Sequence, residues 1–172
     1  KQHIELARDI AQKFNNDYKT ELFPMPEPMI LGEATRVMSL KDGFNKMSKS
    51  DPSENSRINM TDGPDQIARK IKKATSDSEL LPGDPEDLLR RPEAKNLLAI
   101  YAALSNQNIF AVCVEFEGKQ FSVFKSALTE LAISVMGPIG AEMARLVSDQ
   151  SYLDSVLKDG AERSRMISDK VL

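Results

Sequence analysis

The pentapeptide KMSKS at residues 46–50 contains the residue types and spacing best suited to chemistry in this sequence. Two lysines three positions apart are able to converge on one polyanion, while the serine hydroxyls and backbone amides donate hydrogen bonds. Gly43 and Pro52 bracket the segment and predict a loop rather than a core element. The pattern therefore indicates a phosphate-binding loop, with a solvated lysine- and serine-rich surface loop as the alternative.

Positive charge is concentrated around this loop. The formal net charge of the whole sequence is −3, which argues against a protein that coats nucleic acid by bulk attraction. Residues 41–73 nevertheless contain eight basic and five acidic side chains, a local excess of +3. The loop thus lies in the locally positive part of the chain, as binding of a polyanion requires.

The elements around the loop are predicted to be a helix before it, a strand leading into it and a helix after it. Apolar residues recur at helical spacing through the first fourteen positions, and no capping residue precedes them, so we expect further chain upstream. Residues 36–40 (RVMSL) predict a core strand. Asp62 and Pro64 predict the start of a helix that ends near Ala74, with Asp62 as its cap.

That helix is predicted to be amphipathic. Ile67, Ile71 and Ala74 share one face, which leaves its basic residues solvated. Prolines, a glycine and acidic residues then accumulate over residues 76–92, a composition typical of a hinge or domain boundary. Four more helices are predicted at residues 93–104, 109–116, 121–147 and 151–172, and Pro138 is expected to kink the third.

Composition limits the classes of protein that need to be considered. The chain is 41% hydrophobic and 28% charged, which is ordinary for a globular protein. No run of eighteen apolar residues and no signal peptide is present, so we predict no membrane association and a cytoplasmic location. Cys113 is the single cysteine and is predicted to be a small buried hydrophobe. His3, the single histidine, is expected to be a surface or structural residue.

The sequence around the pentapeptide resembles one enzyme family. KMSKS is a signature of class I aminoacyl-tRNA synthetases, and here Asp51-Pro52 follows it and RVMSL precedes it at the distance that family uses. The segments QHIELARDIAQKFN and FPMPEPMI resemble the same family. Four later segments resemble its tryptophanyl members: IARKIKKATSDSE, NLLAIYAALS, FEGKQFSVFK and KDGAERSR. The resemblance covers nearly the whole chain and favours tryptophanyl over tyrosyl members.

The resemblance implies a role for each residue of the loop. Lys46 and Lys49 would hold the pyrophosphate of ATP in the transition state. Ser48 and Ser50 would assist them or shape the loop, and Met47 would pack the loop down. ATP is thereby implied as a substrate, with Mg²⁺ as its charge partner, and no protein metal ligand is predicted.

The resemblance also implies a fold and a function. The fold would be an α/β remnant of a Rossmann-like nucleotide-binding domain over residues 1–76, followed by an all-α domain over residues 77–172 that binds the tRNA anticodon, so that the chain is mostly α overall. The backbone of Val37 would touch adenine, with a plain core strand residue as the alternative. The function would be activation of tryptophan by ATP and its transfer to tRNA-Trp, in a homodimer. The HIGH and Gly-x-Asp-Gln motifs are not present in this sequence, so the chain alone is expected to be inactive.

Basic side chains after the loop are candidates for contacts with tRNA phosphates, since such contacts supply most nonspecific affinity. They are Arg69, Lys70, Lys72, Lys73, Arg90 and Arg91. The alternative is a solvated helix face. Two rival functions also stay open: a tyrosyl or other class I synthetase or a related nucleotidyl transferase, and a non-catalytic helical module that binds RNA or a protein partner.

Overall fold

The computed structural model describes residues 2–29 and 35–170, and within these ranges the regular structure is helical. The helices are α1 (Gln2–Tyr18), α2 (Pro64–Lys73), α3 (Pro92–Ser105), α4 (Ile109–Phe116), α5 (Phe121–Ser148) and α6 (Gln150–Ser168). Two short 3-10 helices lie at Glu54–Ser56 and Pro85–Arg90. The prediction of a mostly α chain is confirmed, as is each predicted helix to within a few residues. The predicted end of the last helix at Leu172 lies outside the described residues.

The hydrophobic core lies between α2, α3, α4 and the first half of α5. Ile67 and Ile71 of α2 and Phe124 and Leu128 of α5 are at most 1% exposed, as their helical spacing predicts. Phe124 also packs edge-to-face against Phe116 of α4, with ring centroids 4.9 Å apart. Burial of each such side chain contributes about 1.5–3 kcal/mol, so this helix interface is the main source of stability.

The strand predicted at residues 36–40 is not formed. Among the described residues there is only an isolated antiparallel bridge between Met38 and Lys46. The segment has no neighbouring strand among them. On one edge its backbone pairs with residues 45–47, and on the other edge it pairs with the Asn96 side chain and with Ser56. The predicted α/β remnant is therefore not found in the part of the chain that the structure describes.

The start of α2 also differs from the prediction. Its N-cap is Gly63, whose N–H donates to the Gln66 side chain at 3.0 Å. Asp62, predicted as the cap, pairs instead with Lys70. Lys70 was expected to be solvated but is 1% exposed, because it lies on the same helical face as Ile67 and Ile71 and finds a buried carboxylate there.

The segment between α2 and α3 is packed onto the core. Leu81 and Leu88 are 2% and 1% exposed. Leu81 exchanges backbone hydrogen bonds with the turn after α4, donating to the Lys119 carbonyl at 3.0 Å and accepting from Gly118 at 2.9 Å. The domain boundary after residue 76 stays a prediction, while α2 on one side of it packs along α5 on the other.

The C-terminal helices expose much apolar surface. α6 has no buried residue, and Leu157 and Ile167 are each 71% exposed. α5 runs through Pro138 as one helix. α5 is long and apolar enough to cross a membrane, but its first half packs in the core with α2, α3 and α4. Cys113 is fully buried and His3 exposed, as predicted.

Candidate functional site

The signature loop, residues 46–50, lies at the surface. Its charged and hydroxyl side chains are exposed: Lys46, Ser48, Lys49 and Ser50. Met47 is partly buried and packs against the hydrophobic core. A turn shapes the end of the loop, where the Ser48 carbonyl accepts from the N–H of Asp51 at 3.3 Å. Within residues 2–29 and 35–170 neither lysine forms an ion pair, so both ammonium groups are available to an anion.

The chain before the loop, residues 37–45, forms its first arm and folds back on the loop. Ser39 N–H donates to the Asn45 carbonyl at 2.7 Å, and Met47 N–H donates to the Val37 carbonyl at 3.0 Å. Asp42 closes the turn between them by accepting from the N–H of Phe44 at 2.9 Å. This hydrogen bond, together with the one from Asn45, holds the pKa of Asp42 below its usual range. The arm thus fixes the backbone on which Lys46 is carried.

The chain after the loop, residues 51–62, forms the second arm and is tied together by Arg57. This guanidinium donates to the Asp51 carbonyl at 2.9 Å and forms an ion pair with Glu54 at 2.5 Å. It also donates to the Asn59 side chain at 3.1 Å. The Arg57 side chain is only 12% exposed, and its bonds to Asp51 and Asn59 are partly buried, so they hold the arm in one shape, while Glu54 is 65% exposed.

A buried ion pair attaches the second arm to α2. Lys70 Nζ lies 2.5 Å from Asp62 Oδ2, with the two side chains 2% and 6% exposed. Asp62 also accepts from the N–H of Asn59 at 2.8 Å. Burial acts to raise the pKa of Asp62, but the hydrogen bonds from Lys70 and Asn59 outweigh it and the pKa is lowered. Both arms of the loop are therefore anchored, while its tip is free.

Val37 does not behave as a fully buried strand residue. Its side chain is partly exposed, and its carbonyl accepts the Met47 hydrogen bond described above. Val37 directly precedes Met38, which forms the isolated antiparallel bridge with Lys46. The structure brings Val37, Lys46 and Met47 into one hairpin-like unit, with Ser48, Lys49 and Ser50 at its outer end.

The six basic residues suggested for tRNA phosphates separate into two groups. Lys70 is buried against Asp62, and Arg91 is 12% exposed and bonded to Asp77 at 2.6 Å. Burial acts to raise the pKa of Asp77, but the hydrogen bond and the charge of Arg91 help to lower it below its usual range. The remaining four are exposed: Arg69, Lys72, Lys73 and Arg90. Of these six residues, the four exposed ones have side chains placed to meet a polyanion.

Two residues of α3 that contact the loop's first arm were not identified from the sequence. The side chain of Asn96, which is 5% exposed, bonds to the backbone of Met38 and Ser39. Glu93 accepts from the N–H of Gly43 at 3.3 Å. A polar residue in an amphipathic helix is normally interpreted as solvated, so only the tertiary structure identifies these contacts.

Comparison with protein families assigns the class. Residues 1–135 match the family described as tRNA synthetases class I (W and Y), that is, the tryptophan and tyrosine enzymes. The match covers most of the chain and includes the signature loop with both of its arms. The chain therefore belongs to this family of class I tRNA synthetases.

The similar curated proteins are tryptophan enzymes. The tryptophan–tRNA ligase of Agrobacterium fabrum is 51% identical over 191 aligned residues, which cover 100% of this chain and 54% of that protein. The tryptophan–tRNA ligase of Caulobacter vibrioides is 52% identical over 166 residues, with 96% of this chain and 48% of that protein covered. The chain thus spans about half the length of the curated relatives it matches.

Solved structures show the same relationship at the level of the fold. Tryptophanyl-tRNA synthetase from Mycoplasma pneumoniae superposes with a TM-score of 0.75 at 26% identity, covering 96% of this chain and 51% of that one. The Campylobacter jejuni enzyme, solved in complex with ADP and tryptophan, superposes with a TM-score of 0.64 at 28% identity. This superposition covers 98% of this chain and 50% of the Campylobacter chain. Nearly the whole described chain thus has the fold of half of such an enzyme.

Proposed function

We propose that this chain is the part of a tryptophan–tRNA ligase that binds the phosphates of ATP and contacts tRNA. The observation that carries the proposal is the pair Lys46 and Lys49, two exposed lysines without ion-pair partners in the described residues, on a loop whose two arms are anchored. The names of the similar proteins support tryptophan rather than tyrosine as the amino acid.

The reaction would begin with attack of the tryptophan carboxylate on the α-phosphorus of ATP. The bond from that phosphorus to the bridging oxygen breaks, and pyrophosphate leaves with the electron pair. A hydroxyl of the terminal ribose of tRNA-Trp then attacks the carbonyl carbon of the adenylate, the bond from that carbon to the phosphate oxygen breaks, and AMP leaves as the tryptophanyl ester forms. No covalent intermediate with the enzyme is needed, so the protein acts by positioning and by electrostatic stabilisation.

Lys46 and Lys49 would stabilise the negative charge that builds on the leaving pyrophosphate. An ammonium about 4 Å from a phosphate charge contributes roughly 4 kcal/mol at an effective dielectric constant near 20. Contacts that strengthen only as the charge develops lower the barrier without tightening substrate binding. Ser48 and Ser50 would add hydrogen bonds or shape the loop, Met47 would hold the loop down, and the Val37 backbone would meet adenine.

Mg²⁺ would reach this site with its nucleotide. Among residues 2–29 and 35–170 no three His, Cys, Asp or Glu side chains are grouped to hold a metal ion. Mg²⁺ is commonly bound by substrate phosphates and water with only one or two protein carboxylates, so a dedicated cluster of protein ligands is not required. The ion would supply charge neutralisation on the phosphates, and the roles given to the lysines do not depend on it.

Transfer to tRNA would use the helical part of the chain. We assign the anticodon-binding role to residues 77–172 and the phosphate contacts to the four exposed basic residues named above. Assembly as a homodimer and a cytoplasmic location, where translation takes place, complete the proposal. The apolar surface of α6 is compatible with burial against a further protein surface in that assembly.

Amino-acid-dependent exchange between pyrophosphate and ATP tests the proposal. The complete gene product that contains this chain is assayed with tryptophan and tyrosine in parallel, and the 172-residue chain is the third sample. We expect exchange with tryptophan alone and none from the chain by itself. Exchange with tyrosine would reassign the substrate and keep the loop's role, whereas no exchange from the complete product would contradict the enzyme assignment.

A further inference from the structure

Asn96 occupies the position that a neighbouring strand would take beside residues 37–40. Its Oδ1 accepts from the N–H of Met38 at 2.9 Å, and its Nδ2 donates to the Met38 carbonyl at 2.9 Å. A second contact from Nδ2 reaches the Ser39 carbonyl at 3.3 Å. One amide side chain therefore satisfies both backbone groups of Met38, as a paired strand would.

The backbone of this segment alternates between two sets of partners. The Val37 carbonyl and the Ser39 N–H face the loop and pair with Met47 and Asn45. The two groups of Met38 face Asn96 on the opposite edge, and Leu40 continues on that edge by pairing with Ser56 and Thr75. The segment is thus held flat between the signature loop and the helical core.

The surroundings make this contact strong and specific. Asn96 is 5% exposed and Leu40 is 2% exposed, and the contact of Asn96 with the Ser39 carbonyl is buried, so competition from water is reduced. Gly43 lies against the first residue of α3 so closely that a Cβ on it would be 2.5 Å from the Pro92 carbonyl carbon. The arm and the start of α3 are therefore in direct backbone contact as well.

We propose that Asn96 is a positioning residue for the signature loop: its amide holds residues 37–40 extended and thereby links helix α3 to the lysines of the loop. It does not touch ATP. Through Met38 it sets the backbone of Val37, and through the Val37–Met47 hydrogen bond it sets where the loop begins. A movement of α3 within the helical region is transmitted to the ATP site along this path.

The first test is made on the 172-residue chain and does not depend on catalysis. Trypsin cleaves after Lys46 and Lys49, so the cleavage rate at these bonds reports how firmly the loop is held. Loss of two or three hydrogen bonds of ordinary strength corresponds to roughly a 30- to 150-fold effect. We expect Asn96→Ala to accelerate these two cleavages about thirtyfold or more, and Asn96→Ser, which is too short to bridge both groups, to do the same to a smaller extent.

The matched control is Asn108→Ala. Asn108 caps α4 through a hydrogen bond from the Ala111 N–H at 2.8 Å, far along the chain from the loop. Its truncation removes the same chemical group and lowers stability, but it leaves the arm intact. Rates are compared at equal distances below each variant's Tm. Equal acceleration by Asn96→Ala and Asn108→Ala would overturn the proposal.

Amide exchange in the unmodified chain keeps the test decisive if Asn96→Ala does not fold. The Met38 amide should be protected well above an exposed loop amide, because it donates to the side chain of the buried Asn96. Exchange of the Met38 amide at the rate of an exposed loop would contradict the assignment without any substitution.

The kinetic part of the inference rests on the proposed function. In the complete gene product, Asn96→Ala is expected to lower kcat about tenfold, because it misplaces lysines that act as charge develops, and to leave the KM for tryptophan within twofold. Asn108→Ala should change neither. Equal changes in both constants would reduce Asn96 to a general structural role. A wild-type product without tryptophan-dependent exchange would refute the proposed function while the trypsin and amide-exchange results still decide the role of Asn96.

Discussion

The tip of the signature loop and its two arms differ in how they are held. Lys46 and Lys49 at the tip are exposed and unpaired in the described chain, whereas the arms are fixed by a buried ion pair, a guanidinium and an amide. A loop that is anchored at both ends restricts the positions of its lysines, while their ammonium groups stay without ion-pair partners in the described residues. The comparison predicts that substitutions in the arms change stability, and that substitutions at the tip change chemistry.

The largest loss of stability is expected from the buried pair. Asp62→Asn leaves the Lys70 ammonium buried without its main partner, which typically costs about 3–5 kcal/mol. Urea unfolding of the 172-residue chain measures this loss. Asp17→Asn is the control, because the Lys13–Asp17 pair lies at the surface with side chains 77% and 54% exposed and should contribute less than about 1 kcal/mol. Similar losses from the two substitutions would contradict the anchoring role of Asp62.

Contact between the first arm and α3 is tested by Gly43→Ala. The added Cβ would meet backbone atoms of Pro92 and Glu93 at 2.5–2.8 Å, so one of the two segments has to shift, at a cost of about 1–3 kcal/mol. Gly137→Ala is the matched control. It lies inside α5 with nothing within 4 Å of an added Cβ, and alanine should stabilise that helix by about 0.5–1 kcal/mol. Effects of the same sign on the unfolding midpoint would refute the close packing of the arm.

Acid titration should weaken the second arm only at low pH. The pKa of Asp62 is lowered in the folded chain, so its contribution to stability is complete above the unfolded value of about 3.9 and is lost as pH falls through the lower folded value. The stability difference between the wild type and Asp62→Asn should therefore be constant near neutral pH and shrink below about pH 4. A difference that grows with acidity would show that the sign of this shift is wrong.

The smallest effect on stability is expected at the tip. Lys46→Ala and Lys49→Ala remove exposed charges without ion-pair partners in the described residues, and should change the free energy of unfolding by no more than about 0.5 kcal/mol. The same urea titration measures this. A loss as large as that of Gly43→Ala would mean that the lysines belong to the anchoring structure.

Sequence patterns predicted the helices and the loop because these depend on local spacing. Apolar residues at helical intervals define α2 to α5, and the glycine and proline around KMSKS define the loop. The role of Lys70 could not be predicted, because the same helical spacing fits a solvated lysine and a lysine buried against Asp62. The strand at residues 36–40 was predicted wrongly for a related reason. Its extended backbone is real, but its partner is a side chain from 58 positions away, which no local pattern reveals.

In the candidate site, too, some residues can be identified from the sequence and others only from the tertiary structure. The identity of the proposed phosphate-binding residues follows from the signature itself, whereas the anchoring residues Arg57, Asp62 and Asn96 depend on tertiary contacts. The split among the six basic residues is also tertiary, since Arg69 and Lys70 are adjacent in sequence but opposite in exposure. Which residues carry charge can thus be deduced from sequence, and which of those charges are free cannot.

We propose that the free lysines of the anchored loop act on ATP as charge develops. The decisive measurement is tryptophan-dependent ATP–pyrophosphate exchange by the complete gene product with Lys49→Ala, with Lys158→Ala on α6 as the control lysine. Lys49→Ala should lower kcat about a hundredfold or more, as expected for loss of one strong transition-state contact, while the KM for tryptophan stays within about twofold. Unchanged kcat with weaker tryptophan binding would contradict the claim.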